Sequence, residues 1–422
     1  MGFQQGLSGL NAASKNLDAI GNNVANSGTV GFKASQAQFS DVFANSLTGA
    51  GGVQIGIGTQ VAAVVQQFTQ GNVTTSNNPL DIAINGKGFF RLSDAGTIVY
   101  GRNGQFQLDK NGFIVTSSGK NVTGYAADAA GVITPGSLIN MQVTTANLAP
   151  SVTSSIGLGI NLDSRATPVT VAAFDPANSL TYTSSTSMTI YDALGNAQTL
   201  GYYFAKTAAN TWDVYGTLTN PQGTQTVLNA GAPPTKLGTL TFSPTNGSLV
   251  SSTVALPALT GAGVVPDILG TGATTIAAIT PSFVGSTQFG NTFGVNSLSQ
   301  DGYASGRATG FSIGADGILK ARYSNGQSLN LGQLVLADFK NPQGLQPLGN
   351  NIWAETSASG PPLPGAPSSS SLGVLQSSAV EDSNVDLTQE LVNMITAQRT
   401  YQANAQTIKT QDQVLQTLVN LR

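Results

Sequence analysis

Leu387–Val419 reads LTQELVNMITAQRTYQANAQTIKTQDQVLQTLV. Within it Leu387, Leu391, Met394, Gln398, Tyr401, Ala405, Ile408, Asp412, Leu415 and Val419 alternate at spacings of four and three, and eight of the ten are apolar. A sustained 3.5-residue repeat lays one narrow apolar stripe along a helix, which is the seam of a coiled coil. At the other end of the chain Phe3, Leu7, Leu10, Ser14, Leu17, Gly21 and Val24 keep the same rhythm, with Ile20 beside the seam. Asp386, with Gln389 three residues on, predicts an N-cap and a capping box for the last helix. Asn26-Ser27-Gly28 predicts the left-handed stop of the first. At the usual rise per residue the two helices are roughly 33 Å and 55 Å long. Isolated helices of that length are marginal in water, so the seams are expected to be completed by other copies of the chain.

Between the helices the pattern changes. Turn pairs recur at Asn85-Gly86, Asn103-Gly104, Asn111-Gly112, Asn246-Gly247, Asp301-Gly302, Asp316-Gly317 and Asn325-Gly326. Short β-forming runs lie among them at Phe89–Leu92, Thr97–Tyr100, Phe113–Thr116, Met188–Tyr191 and Leu334–Ala337, as in antiparallel hairpins. The fold class is therefore mainly β with terminal α-helices. Gly360–Ser371 is a Pro/Ser-rich linker expected to be extended, and a second soft zone is expected around 47–58. The section from about 148 to 284, richer in Thr, Ala and Pro, reads as a separate β domain. Its aromatic residues Trp212, Tyr202, Tyr203 and Tyr215 fit a sandwich core better than a sugar-binding platform.

Composition narrows the chemistry. The 422 residues include 17 Lys+Arg, 20 Asp+Glu, no His and no Cys. So few cations exclude electrostatic nucleic-acid binding and a polybasic membrane contact. The missing His and Cys remove the commonest general base, the commonest nucleophile pairs and nearly all zinc arrangements. No apolar run approaches the length of a membrane span, and the opening residues do not form a Sec signal peptide. Asp382-Ser383-Asn384-Val385-Asp386 imitates the start of a calcium loop, yet Leu387 stands where Gly is needed and Asn393 where a bidentate Glu is needed. These acids read as a helix cap. The expected catalytic, cofactor and metal residues are none, and the chain is expected not to be an enzyme.

Both terminal regions resemble the bacterial flagellar rod and hook axial proteins, the hook protein in particular. The likeness rests on Leu10-Asn11-Ala12-Ala13, Gly21-Asn22-Asn23-Val24-Ala25-Asn26 and Gly31-Phe32-Lys33 at the start. In the tail it rests on Ser383-Asn384-Val385-Asp386-Leu387, Glu390 to Ile395, and Ala403-Asn404-Ala405-Gln406. Inner segments extend it: Asp81 to Phe90, Phe289-Gly290-Asn291, Gln300 to Tyr303, Tyr323 to Gln327, and Asn341 to Leu345. The resemblance implies nested, discontinuous β domains on a coiled-coil-like pair of N- and C-terminal helices. Residues 1–26 and 385–422 would form an inner helical core, 27–70 and 359–384 a connecting segment, 71–147 and 285–358 a middle β domain, and 148–284 an outer β domain. It further implies a homopolymer, the flagellar hook, a curved tube that transmits torque. The implied polymer interface is Phe3, Leu7, Leu10, Leu17, Ile20, Val24, Leu387, Leu391, Met394, Tyr401, Ile408, Leu415 and Val419. The implied partners are a hook cap protein, a distal rod protein, a hook–filament junction protein and the flagellar type III export apparatus. The location implied is the flagellum outside the cell. A distal rod subunit of the same family and a glycan-binding protein on a polymerising stem are the alternatives.

Overall fold

Both terminal helices form: α1 spans Gly2–Ala25 and α2 spans Leu387–Asn420. The computed structural model describes residues 2–42, 56, 58–144, 146–170, 173–229, 235–264, 266–369 and 371–420. Asp386 caps α2 as expected, its Oδ1 accepting from the amides of Thr388 at 2.9 Å and Gln389 at 3.1 Å. The second half of the capping box is replaced, because the Gln389 side chain donates forward to Asn393 Oδ1. The helix α1 stops at Ala25, beside Asn26-Ser27-Gly28 as expected, but its cap differs in conformation. The left-handed residue after the helix is Gly31, at φ 71°, rather than Asn26 or Gly28. A Cβ at Gly31 would lie 2.7 Å from the Asn103 amide nitrogen, so both backbone angle and close approach require glycine there.

The chain divides into two units, 1–145 with 310–322 and 328–422, and 146–309 with 323–327. In the first unit the two halves of the sequence close on each other in successive pairs. Strand Val73–Thr75 pairs with Ala379–Glu381, and Ile82–Asn85 with Val374–Ser377. Thr97–Gly101 pairs with Ile352–Ala354, and Asn121–Ala127 with Ser328–Leu334. This nesting lets a long insertion leave and return without breaking the sheet. Alternating strand residues supply the core, including Ile82, Ile84, Phe90, Leu92, Leu334 and Leu336. A neighbouring aromatic cluster joins Phe89, Tyr100, Phe339 and Trp353, with Phe68 packed edge-on to Phe89 and Trp353. A separate antiparallel ribbon, β1 (Ser35–Val42) with β2 (Gly58–Gln66), follows α1. Within the Pro/Ser-rich linker Leu363–Gly365 is extended, as expected, and adds to Leu336–Asp338 as a strand. Most of the soft zone at 47–58 falls outside the described residues.

The second unit packs a six-stranded sheet against a three-stranded one. The larger has the order Ser184–Tyr191, Ala197–Ala208, Thr211–Thr219, Gly238–Phe242, Leu249–Ser252, with Gln225–Val227 also paired to Thr211–Thr219. In the smaller, Thr287–Phe289 and Gly294–Gln300 flank Ile156–Asp163, so residues 285–309 group with 146–284 here. Ile156, Leu158 and Ile160 meet Leu200, Phe204 and Val214 in one core. Trp212 is fully buried and donates its indole N–H to Gln288 Oε1 at 2.8 Å, while Tyr202 is fully buried and Tyr215 stacks on Phe174. These aromatics fill the interior, as a sandwich requires. The apolar run 254–279 folds back on itself through Leu256 with Ile279 and Leu259 with Ile276, all buried. Among the described residues no helix is long and apolar enough to cross a membrane.

Asp301 ties the start of this unit to its end, accepting from the amides of Ser154 at 2.8 Å and Ser155 at 3.0 Å. Burial pushes its carboxyl up, but the Ser154 hydroxyl and these amides outweigh it and hold the pKa at about 2, against the ordinary 3.8. A carboxyl depressed by folding stabilises above its unfolded value and loses that contribution as pH falls toward its folded value. The second unit should therefore weaken as pH drops from about 4 toward 2. Trp353→Phe leaves Trp212 as the chain's single indole, so its fluorescence reports denaturant unfolding of this unit. Asp301→Asn should flatten that acid dependence, and an unchanged dependence would contradict the assignment.

Candidate functional site: the paired terminal helices

The two helices run antiparallel, with Gly6 beside Ile408, Gly9 beside Asn404 and Asn23 beside Glu390. Their approach is close because the residues between them are small. A Cβ built at Gly9 would lie 2.6 Å from Asn404 Oδ1, and Ala12, Ala13 and Ala19 on α1 and Ala397 on α2 are buried. Polar residues fix the register. The buried Asn23 side chain donates to Ser35 O and accepts from Ser35 N, both at 2.8 Å, and also reaches Glu390 Oε1. Asn384, just before α2, accepts from Ala34 N at 2.7 Å and donates to Gln67 O at 2.7 Å.

Beneath this lies a buried ion cluster. Glu381 Oε1 meets Lys33 Nζ at 2.6 Å, and its Oε2 meets Arg102 Nη1 at 3.0 Å, with all three side chains almost wholly excluded from solvent. Each remaining polar atom but one is engaged. Gly71 N donates to Glu381 Oε1, Lys33 Nζ to Thr69 O and Arg102 Nη2 to Gly86 O. Arg102 Nε alone has no partner among the described residues, while the guanidinium lies over the Phe89 ring. Burial pulls the Lys33 pKa down, Glu381 opposes this, and Arg102 adds to the fall. One carboxylate thus joins four chain segments at the root of the helix pair.

The large apolar residues behave differently from the small ones. Of the residues expected at the polymer interface, Ile20 is buried within the chain, and Leu10, Leu17, Val24, Met394 and Ile408 are half-buried. Phe3 (47% exposed), Leu7, Leu387, Leu391 (45%), Tyr401 and Leu415 (53%) are open to solvent, and the side chain of Val419 lies outside the described residues. Val392, Ile395 and Val414 are also exposed, although the heptad reading did not include them. The helices are therefore paired within one chain, contrary to seams left wholly for other copies. That pairing uses the alanine and glycine faces and leaves much of the leucine stripe unpaired. The signal that reveals this in sequence is the small-residue spacing of Gly6, Gly9, Ala12 and Ala13 rather than the heptad itself. Thr396, Thr400, Thr407, Thr410 and Thr417 each donate to the carbonyl four residues earlier, so these hydroxyls are satisfied along the α2 backbone.

No group of three or more metal-binding side chains occurs among the described residues. Asp382, Asn384 and Asp386 are engaged in the protein's own contacts: Asp382 with Thr74, Asn384 with the 34–69 backbone, and Asp386 as the cap.

Four family models match. They are the flagella basal body rod protein model at 3–33, the flagellar hook protein FlgE/F/G D1 domain at 83–173, the flagellar basal body protein FlaE D2 domain at 161–303 and the flagellar basal body rod FlgEFG protein C-terminal model at 376–421. The flagellar hook protein FlgE of Escherichia coli K12 is 42% identical over 434 residues, covering 100% of both chains. That of Salmonella typhimurium is 43% identical over 430 residues, again covering 100% of both. The chain belongs to the flagellar hook protein FlgE family. The crystal structure of Helicobacter pylori hook protein FlgE2 shares the fold with a TM-score of 0.52 at 15% identity, covering 72% of this chain and 99% of that one. The hook chain is thus a structural, polymerising subunit of the bacterial flagellum outside the cell, not an enzyme.

Removing Glu381 would strand two buried cations. Glu381→Ala is expected to destabilise the first unit of this hook-family chain by about 3–5 kcal/mol, the usual cost of breaking a buried ion pair from one side. With Trp212→Phe in place, Trp353 fluorescence reports that unit during urea unfolding. A midpoint unmoved by Glu381→Ala would show that the cluster carries no stability.

Proposed function

We propose that the exposed apolar rows of α1 and α2 are the surface through which hook subunits join, with Phe3, Leu7, Leu387, Leu391, Tyr401 and Leu415 at its centre. The observation that carries this is their exposure on helices whose opposite faces are already closed by small residues. Burying a leucine or phenylalanine of this kind contributes about 1.5–3 kcal/mol. Repeated along a tube, such contacts bear axial load.

The reading extends to four layers, with 1–26 and 385–422 as the inner tube, 27–70 and 359–384 connecting, 71–145 with 310–358 as the middle β domain and, because strands within 285–309 pair with Ile156–Asp163, 146–309 outermost. A tube that turns while bent must let its outer domains change neighbours. The chain has only 37 charged residues (17 + 20) from which to build fixed ionic contacts, and Arg165 and Lys236 are already paired with Asp163 and Asp213. Small neutral side chains and bridging water re-pair at little cost. The distal rod protein, the hook–filament junction protein and a hook cap protein are the partners proposed at the ends of the polymer. Export through the flagellar type III apparatus is the proposed route, and a chain without cysteine suits passage in an unfolded state.

Purified chain should assemble into curved tubes visible by negative-stain electron microscopy. Deleting 2–25 or 387–420 should abolish them, and Leu391→Ser with Leu415→Ser should raise the concentration needed for assembly at least tenfold. Tubes of normal appearance from either deletion would contradict the proposal.

A further inference from the structure

The antiparallel register leaves α2 longer than its partner. With Gly6 beside Ile408, the first residue of α1 falls near residue 412, so about eight residues of α2, a length of about 12 Å, run on past the start of α1. Val414 and Leu415 on this overhang are 49% and 53% exposed. Nothing in the described chain covers them.

Elsewhere on the same unit the helices and the β1–β2 ribbon leave a groove of about 980 Å³. Its apolar lining includes Ala12, Ala13, Ile20, Ala37, Phe39 and Ala397. Glu390 also lines it, and Glu390 Oε2 is buried without a hydrogen-bond partner among the described residues. A buried carboxylate oxygen left so is costly, and a donor brought into the groove relieves it. A helical segment ~12 Å long and ~10–12 Å across occupies about 900–1,400 Å³, the same order as the groove. The overhang carries amide donors at Gln413 and Gln416 as well as its apolar pair.

We infer that the groove is the seat for the α2 overhang of a second copy of this chain. The inference rests on the polymer reading above and adds which surface receives which. Because groove and overhang are different surfaces of one molecule, the contact is heterologous. Each copy that fills a groove offers its own groove to the next, and where the rotation between copies does not close a ring such a contact extends into an open helical polymer. The exposed Val and Leu then meet Phe39, 44% exposed at the edge of the groove, and a side-chain amide supplies the hydrogen bond that Glu390 lacks.

The test uses the natural absence of cysteine. Asn16→Cys places a thiol in the groove and Leu415→Cys one on the overhang. In polymer assembled from the double variant, mild oxidation should give a ladder of disulfide-linked oligomers on a non-reducing gel, because paired Cα atoms must approach within about 7 Å. Normal polymer with no ladder overturns the groove assignment while leaving the polymer reading intact. If the double variant does not assemble, the two single variants are each diluted into unmodified chain and copolymerised together. A dimer containing one chain of each variant supports the assignment, and its absence overturns it. Dimers formed by Leu415→Cys alone would mean that overhangs meet tip to tip, which also overturns it. Failure of the unmodified chain to polymerise removes both readings together.

Discussion

Glu381 binds Lys33 and Arg102 where solvent does not reach, and the rest of the first unit is organised around that contact. It joins residues 348 positions apart in the chain. The strand that carries Glu381 pairs with Val73–Thr75, and α2 begins six residues after it. The direction in which α2 leaves the β body is therefore fixed by a charged cluster rather than by packing alone. A buried ion pair is a poor source of net stability, since its desolvation offsets most of the attraction. What it supplies is specificity, because any other register strands a charge. For a subunit that passes force from its helices to its β domains, a stiff and unique root is a mechanical requirement.

Above the root, the division between small and large residues sets what the chain does alone and what it does in company. Glycine and alanine let α1 and α2 approach closely and satisfy each other within one molecule. Leucine, phenylalanine and tyrosine are displaced to the outside, where the described chain leaves them exposed and where we propose that other copies cover them. One chain can thus be folded before assembly and still hold most of its association energy in reserve. The second unit follows another logic. It is an insertion with its own two-sheet core, and the first unit's strand pairs close without its help. That independence permits its surface contacts to be weak.

Much of the architecture is legible in the residues. Asn85-Gly86, Asn111-Gly112, Asp316-Gly317 and Asn325-Gly326 mark turns because only a few residue types tolerate the positive φ seen at each of these glycines. Asp386 announces α2 through its short acceptor side chain. The heptads reveal two helices, but periodicity ranks residues by hydrophobicity and so points to leucine as the inner seam. Close approach is governed by size, and the alanine face won. The ion cluster is not legible at all. Lys33 and Glu381 lie 348 positions apart with nothing in the sequence to link them, and only the folded chain brings them together. At Gln389 the capping box is not made, and the side-chain amide donates to Asn393 Oδ1 at 3.1 Å instead. The linker at 360–371 is expected to be extended from its composition, and Leu363–Gly365 is extended; the partner strand at Leu336–Asp338 is what composition does not reveal.

The central claim is that the outward apolar rows of the two helices are covered by other copies of the chain and the insertion's surface is not. Hydrogen–deuterium exchange compared between monomer and assembled tube measures this directly. The account expects amide protection to rise by at least tenfold across Gly2–Ala25 and Leu387–Asn420 on assembly, with little change across 184–252. Equal protection of the helices in both states, or a gain concentrated in 184–252, would contradict it.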